Sequence, residues 1–122
     1  MLNIEKNLTP RLRMIADLVP RCESLCDIGT DHAYVAIYLA KKGIAQKIIA
    51  ADIKKGPLAQ ADKNIALFEV SDKIETRLSN GFEKIAVGEV QCAIIAGEKE
   101  SRRRIVIIGS TDLYVDRYYG AD

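Results

Sequence analysis

Leu25-Cys26-Asp27-Ile28-Gly29-Thr30-Asp31-His32-Ala33-Tyr34 is the stretch of sequence that decides the fold. A short apolar run ends at an acid, a glycine follows two residues later, and a helical pattern begins at Ala33. A strand that turns sharply into a helix is typical of the first unit of an α/β protein with a nucleotide-shaped site at the carboxyl edge of its sheet. The stretch therefore predicts a binding site at the turn around Gly29.

A second acid supports this interpretation. Asp52 ends the apolar run that starts at Lys47, and it follows Gly29 by 23 residues. An acid in this place accepts hydrogen bonds from the hydroxyls of a ribose. A glycine turn alone is weak evidence, but strand, turn, helix, strand and acid in this order are considerably stronger.

Alternating patterns along the chain predict an α/β fold of the Rossmann-like type. Apolar spacing and helix caps predict helices over about 10–19, 33–42 and 57–69 and a short one over 82–86, with strands over about 24–28, 47–51, 73–78 and 91–96. Strands that alternate with helices imply right-handed crossovers. We therefore expect an incomplete parallel sheet with helices on both faces.

The pattern changes after residue 96. Gly97 to Arg104 is a charged connector, too short for the crossover that a parallel strand requires. The next strand, Ile105–Gly109, is expected to pair antiparallel with strand four or to pair outside the domain. As an apolar edge, Ile105–Ile108 predicts a homodimer through this C-terminal strand. The tail from Ser110 has no strong pattern.

Composition narrows the class of protein. The 122 residues suit a single domain over 1–122, and 18 basic against 17 acidic residues give a net charge of +1, which argues against binding nucleic acid by bulk charge. The sequence has no apolar run of membrane-spanning length and no signal-peptide pattern, so we expect a cytoplasmic protein with no membrane partner. The three cysteines, Cys22, Cys26 and Cys92, are expected to be free thiols, and no metal site is predicted.

Residues 8–97 resemble the bacterial tRNA (adenine(22)-N1)-methyltransferase family. The matching motifs are Leu8-Thr9-Pro10-Arg11-Leu12, Asp27-Ile28-Gly29-Thr30-Asp31-His32-Ala33-Tyr34, Asp52 with Gly56-Pro57-Leu58, Asn80-Gly81, and Ala93-Ile94-Ile95-Ala96-Gly97. The Asp-Ile-Gly-Thr-Asp-His-Ala string is quite specific, since Asp31 stands where methyltransferases often have a second glycine. The family-like part is 10–97 and the divergent tail is 98–122.

The resemblance implies a class I methyltransferase fold, S-adenosyl-L-methionine as cofactor and tRNA as partner. It places the turn from Asp27 to His32 under the amino-acid part of the cofactor, Asp52 at the ribose, and Asn80-Gly81 beside the adenine. The cofactor-binding residues that it implies are Asp27, Gly29, Thr30, Asp31, His32, Asp52, Ile53, Asn80, Gly81 and Ala96.

The sequence departs from the family after Gly97. Family members usually continue with Met-Gly-Gly and add a C-terminal helical domain, whereas here Glu98-Lys99-Glu100 follows. The resemblance implies that Ala96-Gly97 opens the loop facing the transferred methyl group. No catalytic residue is assigned, and His32 and Gly97 are the candidates.

Several residues have two interpretations. Asp31 is either an N-cap of the helix at Ala33 or a cofactor contact, and His32 is either a general base or a structural part of the turn. Basic and aromatic side chains could contact RNA or serve structural roles; these are Arg11, Arg13, Lys99, Arg102, Arg103, Arg104, Tyr114, Tyr118 and Tyr119.

Two other functions compete with methyl transfer. A non-catalytic module that binds S-adenosylmethionine, or only a partner protein, fits the departure after Gly97. A dehydrogenase domain is disfavoured because the turn lacks Gly-x-Gly-x-x-Gly.

Overall fold

The computed structural model of the protein describes residues 2–99, 102–108 and 114–119. A short 3₁₀ helix, Ile4–Asn7, precedes three α-helices and six strands: α1 Pro10–Asp17, β1 Cys22–Ile28, α2 Tyr34–Lys41, β2 Ala45–Asp52, α3 Lys55–Leu67, β3 Ile74–Leu78, β4 Cys92–Lys99, β5 Arg102–Ile108 and β6 Tyr114–Tyr119. The predicted α1–α3 and β1–β4 are confirmed, with boundaries that differ by at most three residues. The 3₁₀ helix and β6 were not predicted.

The six strands form one sheet in the order β3-β2-β1-β4-β5-β6. The first four are parallel, and β1 lies between β2 and β4. The chain therefore moves outward in one direction from β1 to β3 and crosses back to place β4 on the other side of β1. This reversal is the topological switch point of a Rossmann-like fold, and ligands bind at the carboxyl ends of the strands beside it.

The three α-helices pack on the same face of the sheet, so the expectation of helices on both faces is wrong for the described part of the chain. Ile15 of α1, Ile37 of α2 and Ile65 of α3 share one core cluster with Leu25 of β1. Side chains of successive strand residues point to opposite faces. The other face accordingly carries Cys26, Ile49 and Ala93, which pack against Ile85 and Val90.

The short helix predicted over 82–86 is also absent: the chain forms turns there. Arg77 Nη1 donates a hydrogen bond to the carbonyl of Lys84 at 2.8 Å, and the amide of Ala86 donates to the Glu89 carboxylate at 2.9 Å. A five-residue α-helix forms too few hydrogen bonds to offset the free-energy cost of nucleation. Side-chain hydrogen bonds hold the segment as a series of turns.

β5 pairs antiparallel with β4, which confirms one of the two predicted arrangements. β4 continues to Lys99, so the predicted connector is mostly strand. β5 also pairs with β6 along its other side. Both edges of β5 are therefore paired within this chain, and association of two copies through the C-terminal strand stays a prediction.

Three further expectations can be compared with the structure. Cys22, Cys26 and Cys92 are free thiols, as predicted, and burial raises the pKa of Cys26 to about 12. Thr9 caps α1 by accepting from the amide of Leu12 at 3.2 Å, as Thr9-Pro10 predicts. Within the ranges that the structure describes, no helix is long and apolar enough to cross a membrane.

Truncating the core under the sheet should destabilise the fold. Ile37 is fully buried on α2, so Ile37→Ala is expected to lower the free energy of unfolding by roughly 2–5 kcal/mol. Leu67→Ala is the matched control, since Leu67 also lies on a helix but is 57% exposed. Urea denaturation measures both, and equal losses in the two variants would contradict this assignment of the core.

Candidate functional site

The turn between β1 and α2 is tied to the end of β2 by its main chain. The amides of Gly29 and Thr30 both donate to the carbonyl of Ala51, each at 2.9 Å. Gly29 has a φ of +77°, which glycine adopts readily and other residues rarely do. A Cβ built at Gly29 would meet nothing within 4 Å, so the surface of the turn there is open.

Asp52 completes this connection with its side chain. Its Oδ2 accepts from the amide of Asp31 at 3.0 Å, and its Oδ1 accepts from the amide of Lys54 at 3.2 Å. Asp52 is only partly buried, and each carboxylate oxygen can accept more than one hydrogen bond. The two motifs singled out in the sequence are thus in direct contact, and Asp52 retains capacity to bind a hydroxyl.

Asp27 lies beneath the turn and is 4% exposed. Its Oδ2 accepts from the hydroxyl of the buried Thr30 at 2.9 Å. Burial raises the pKa of Asp27 to about 7; the Thr30 hydrogen bond opposes this and the nearby charge of Asp52 adds to it. Asp27 therefore changes its charge near neutral pH, within the candidate site.

The next residues adopt an unfavourable backbone conformation. Asp31 and Ala33 have φ values of 56° and 65°, in the left-handed region. Each such residue costs roughly 1–2 kcal/mol relative to its ordinary conformation. The N-cap of α2 is Ala33, with no side-chain cap, so the proposed capping by Asp31 is wrong. The left-handed turn carries Asp31 out to the surface instead.

His32 is half-exposed at the edge of this turn. Its Nδ1 lies 3.2 Å from Asp31 Oδ2, and its ring stacks on Tyr34 with centroids 5.4 Å apart. The side chains of Asp31 and His32 thus form a polar pair beside the turn.

A cavity of about 190 Å³ separates this turn from α1. It is lined by Arg11, Leu12, Ile15, Asp27, Gly29, Thr30, Asp31, His32, Tyr34 and Val35. Five of the cofactor-binding residues that the sequence predicts are therefore brought together here: Asp27, Gly29, Thr30, Asp31 and His32. The sequence analysis did not identify Leu12 and Ile15 as site residues. Their helix, α1, lies within the family-like segment, which is the signal that could have indicated them. Arg11, considered for RNA contact, faces this cavity.

The loop after β3 reaches the same edge of the sheet. The amide of Ser79 donates to the carbonyl of Asp52 at 2.9 Å. Its hydroxyl is buried between the carbonyl of Gly81, at 2.7 Å, and the amide of Lys84, at 3.1 Å. The loop that contains Asn80 and Gly81 is thereby attached to the end of β2 at Asp52, and Ser79, which makes this contact, was not singled out in the sequence.

Exposed apolar side chains accompany Asp52 at this edge. Ile53 is 58% exposed, and Leu78, the β3 partner of Asp52, is 43% exposed. Phe82 is 39% exposed in the following loop. The sequence singled out only Ile53, because the exposure of the other two depends on where the sheet ends.

The remaining candidates are arranged differently from expectation. Ala96 and Gly97 lie within β4, paired with Ile105 and Arg104, so the expected loop at Gly97 is wrong. Arg13 is held by Asp17 at 3.2 Å and lies over the Tyr38 ring. The side chains of Lys99, Arg102–Arg104 and the three tail tyrosines lie outside the described residues.

A larger cavity, of about 450 Å³, lies near the amino ends of β2 and β3. It mixes Lys47 and Lys73 with Asp72, Glu75 and Glu89. It lies far along the strands from the switch point, and its charges are of both signs. The smaller cavity at the turn is therefore the better candidate site.

The ionisation of Asp27 predicts a pH-dependent stability. In the folded protein Asp27 keeps its proton up to its raised pKa of about 7. In the unfolded chain it releases the proton around the ordinary pKa of 3.8. Between these values the stability contributed by Asp27 falls as pH rises, by at most about 1.4 kcal/mol per pH unit. Asp27→Asn removes this pH-dependent loss. The free energy of unfolding of the variant should therefore increase relative to that of wild type as the pH rises from 4 to 7.

Urea denaturation at several pH values measures this difference. Asp31→Asn is the control, because it makes the same change of charge at an exposed position of the same turn. A constant difference in stability between Asp27→Asn and wild type would contradict the assignment.

Comparisons with known proteins identify the family of this chain. Residues 8–99 match the family model described as a methyltransferase domain. The tRNA (adenine(22)-N(1))-methyltransferase of Bacillus subtilis is 33% identical over 93 residues, which are 76% of this chain and 39% of the relative. The chain thus spans about two fifths of the length of that curated relative.

Solved structures with similar folds include two proteins named TrmK. TrmK from M. capricolum, solved in complex with S-adenosyl-homocysteine, has 29% identity and a TM-score of 0.66 over 76% of this chain and 53% of its own. The B. subtilis M1A22 tRNA methyltransferase TrmK has 31% identity and a TM-score of 0.66 over 70% of this chain and 37% of its own. Because the family model covers three quarters of its residues, this chain belongs to the methyltransferase domain family.

Proposed function

We propose that this chain binds S-adenosylmethionine and transfers its methyl group to N1 of adenine in tRNA, at position 22. The observation that carries the proposal is the contact between the β1–α2 turn and Asp52 beside the switch point of the sheet. The activity named for the relatives supplies the reaction and the substrate. In this proposal residues 1–122 act as one cofactor-binding domain. Because its substrate is tRNA, we propose that the protein acts in the cytoplasm.

The residues present fit this cofactor. Gly29 leaves open space over the turn, and Asp52 keeps acceptor capacity on both oxygens. Asp31 supplies an exposed carboxylate at the rim of the 190 Å³ cavity. The open turn leaves room for the cofactor to approach the main chain. The Asp52 carboxylate suits the ribose diol, and the Asp31 carboxylate suits the ammonium group at the methionine end.

Within this proposal each predicted site residue has a role at this edge of the sheet. Asp52 accepts hydrogen bonds from the ribose hydroxyls, and Ile53 packs beside the adenine with the loop at Asn80 and Gly81. The turn that contains Asp27, Gly29, Thr30, Asp31 and His32 holds the amino-acid end. Ala96 follows the part of β4 that pairs with the end of β1, so its backbone lies at the same edge of the sheet.

When bound, S-adenosylmethionine supplies a methyl group on a positively charged sulfur, which becomes a neutral sulfide as the methyl leaves. Adenine N1 already carries a lone pair, so the protein needs no strong base before attack. Its main task is to align nucleophile, methyl and sulfur. His32, half-exposed and paired with Asp31, is accordingly assigned to positioning within the turn rather than to proton transfer.

A second function is favoured by one observation. β4 continues through Gly97 in a hairpin with β5, where the family resemblance implies a loop facing the methyl group. A cofactor-binding module without transfer activity fits this arrangement. Binding and transfer therefore need separate experiments.

Calorimetric titration with S-adenosylhomocysteine tests binding. Wild type should bind, and Asp52→Asn should bind roughly 10–100 times more weakly, because a charge-assisted hydrogen bond contributes about 1.5–3 kcal/mol. Asp72→Asn makes the same charge change away from the turn and should bind as wild type does. No binding by wild type at millimolar ligand would refute the proposal.

Methyl transfer is tested with unmodified tRNA and isotopically labelled S-adenosylmethionine. We expect label in N1-methyladenine, and none in a transcript with guanine in place of adenine 22. Binding of the cofactor without transfer to tRNA would favour the non-catalytic module.

A further inference from the structure

Asn64 is a buried polar residue of α3 that contacts the candidate site from outside the sequence motif. It is 7% exposed, and its Nδ2 donates to the main-chain carbonyl of His32 at 2.9 Å. Gln60 Nε2, one turn earlier on α3, donates to Asn64 Oδ1 at 3.2 Å. This second hydrogen bond orients the Asn64 amide so that its donor faces the turn.

The carbonyl that Asn64 binds lies in the least favourable part of the backbone. His32 stands between Asp31 and Ala33, both left-handed without being glycine. Such a conformation persists only where surrounding contacts determine it. Asp52 holds this segment from β2 through the amide of Asp31, and Asn64 holds it from α3.

We propose that Asn64 is a positioning residue for the amino-acid end of the bound cofactor. By fixing the carbonyl of His32, it keeps the Asp31–Ala33 turn in the shape that presents Asp31 and His32 to the 190 Å³ cavity. Asn64 is not among the residues that line this cavity, so it acts through the turn. The identity of the ligand rests on the proposed function, whereas the hold on the turn does not.

Two ligands separate this role from a general effect on folding. Asn64→Ala removes the donor, and Asn64→Asp keeps the size of the side chain but turns an oxygen toward the carbonyl of His32. Both variants should bind S-adenosylhomocysteine roughly tenfold more weakly, which corresponds to about 1.4 kcal/mol. Adenosine, which lacks the amino-acid end, should bind within about twofold of wild type, as measured by calorimetric titration.

Thr76→Val is the matched control. Thr76 Oγ1 donates to Asp62 Oδ1 at 2.7 Å, so this variant also removes a hydrogen bond between α3 and a neighbouring element, but away from the turn. Its affinity for both ligands should equal that of wild type. An equal loss for both ligands in the Asn64 variants, or the same loss in Thr76→Val, would overturn the proposal.

Amide hydrogen exchange tests the hold on the turn without any ligand. The amides of Asp31 and Ala33 are bonded to Asp52 Oδ2 and to the carbonyl of Thr30. In Asn64→Ala both should exchange several-fold faster, while the β1 amides keep their rates. Unchanged exchange at the turn would overturn the role of Asn64. Absence of S-adenosylhomocysteine binding by wild type would instead refute the proposed function.

Discussion

The candidate site depends on the hydrogen bonds that join the β1–α2 turn to the last two residues of β2. One carbonyl, that of Ala51, accepts from two successive amides of the turn, and the adjacent Asp52 carboxylate accepts from a third. These bonds oppose the cost of the left-handed residues Asp31 and Ala33. A parallel sheet is required for them, because only parallel pairing brings the carboxyl ends of β1 and β2 to one edge.

The rest of the structure supplies rigidity to this edge. The three α-helices bury one face of the sheet, and α3 supplies Asn64, which donates a hydrogen bond to the turn. Ser79 links the loop after β3 to the main chain of Asp52. Farther along, Arg77 binds both Glu75 and Glu89, and the guanidinium holds the pKa of Glu89 down at about 2. The loop around Asn80 is thus fixed at both ends.

The sequence predicted the parallel part of the fold and the main features of the site because both depend on local signals. Apolar periodicity identified β1 to β4 and α1 to α3, and the order of acid, glycine and second acid located the turn and Asp52. The sequence failed where a segment lacks its own strong pattern. The turns of 82–86 are fixed by Arg77 and Glu89, and β6 forms by pairing along β5.

By itself the sequence determined which residues build the edge of the sheet, because a glycine able to adopt positive φ, an acid at a strand end and helical spacing are properties of short segments. Tertiary structure alone decided how they act together. The hydrogen bond from Asn64 to His32 joins residues 32 apart, and the cavity forms only where α1 approaches the turn. The same holds for the buried Asp27, whose pKa rises to about 7 because packing removes it from water. Burial and long-range contact depend on how the elements pack, which no local pattern encodes.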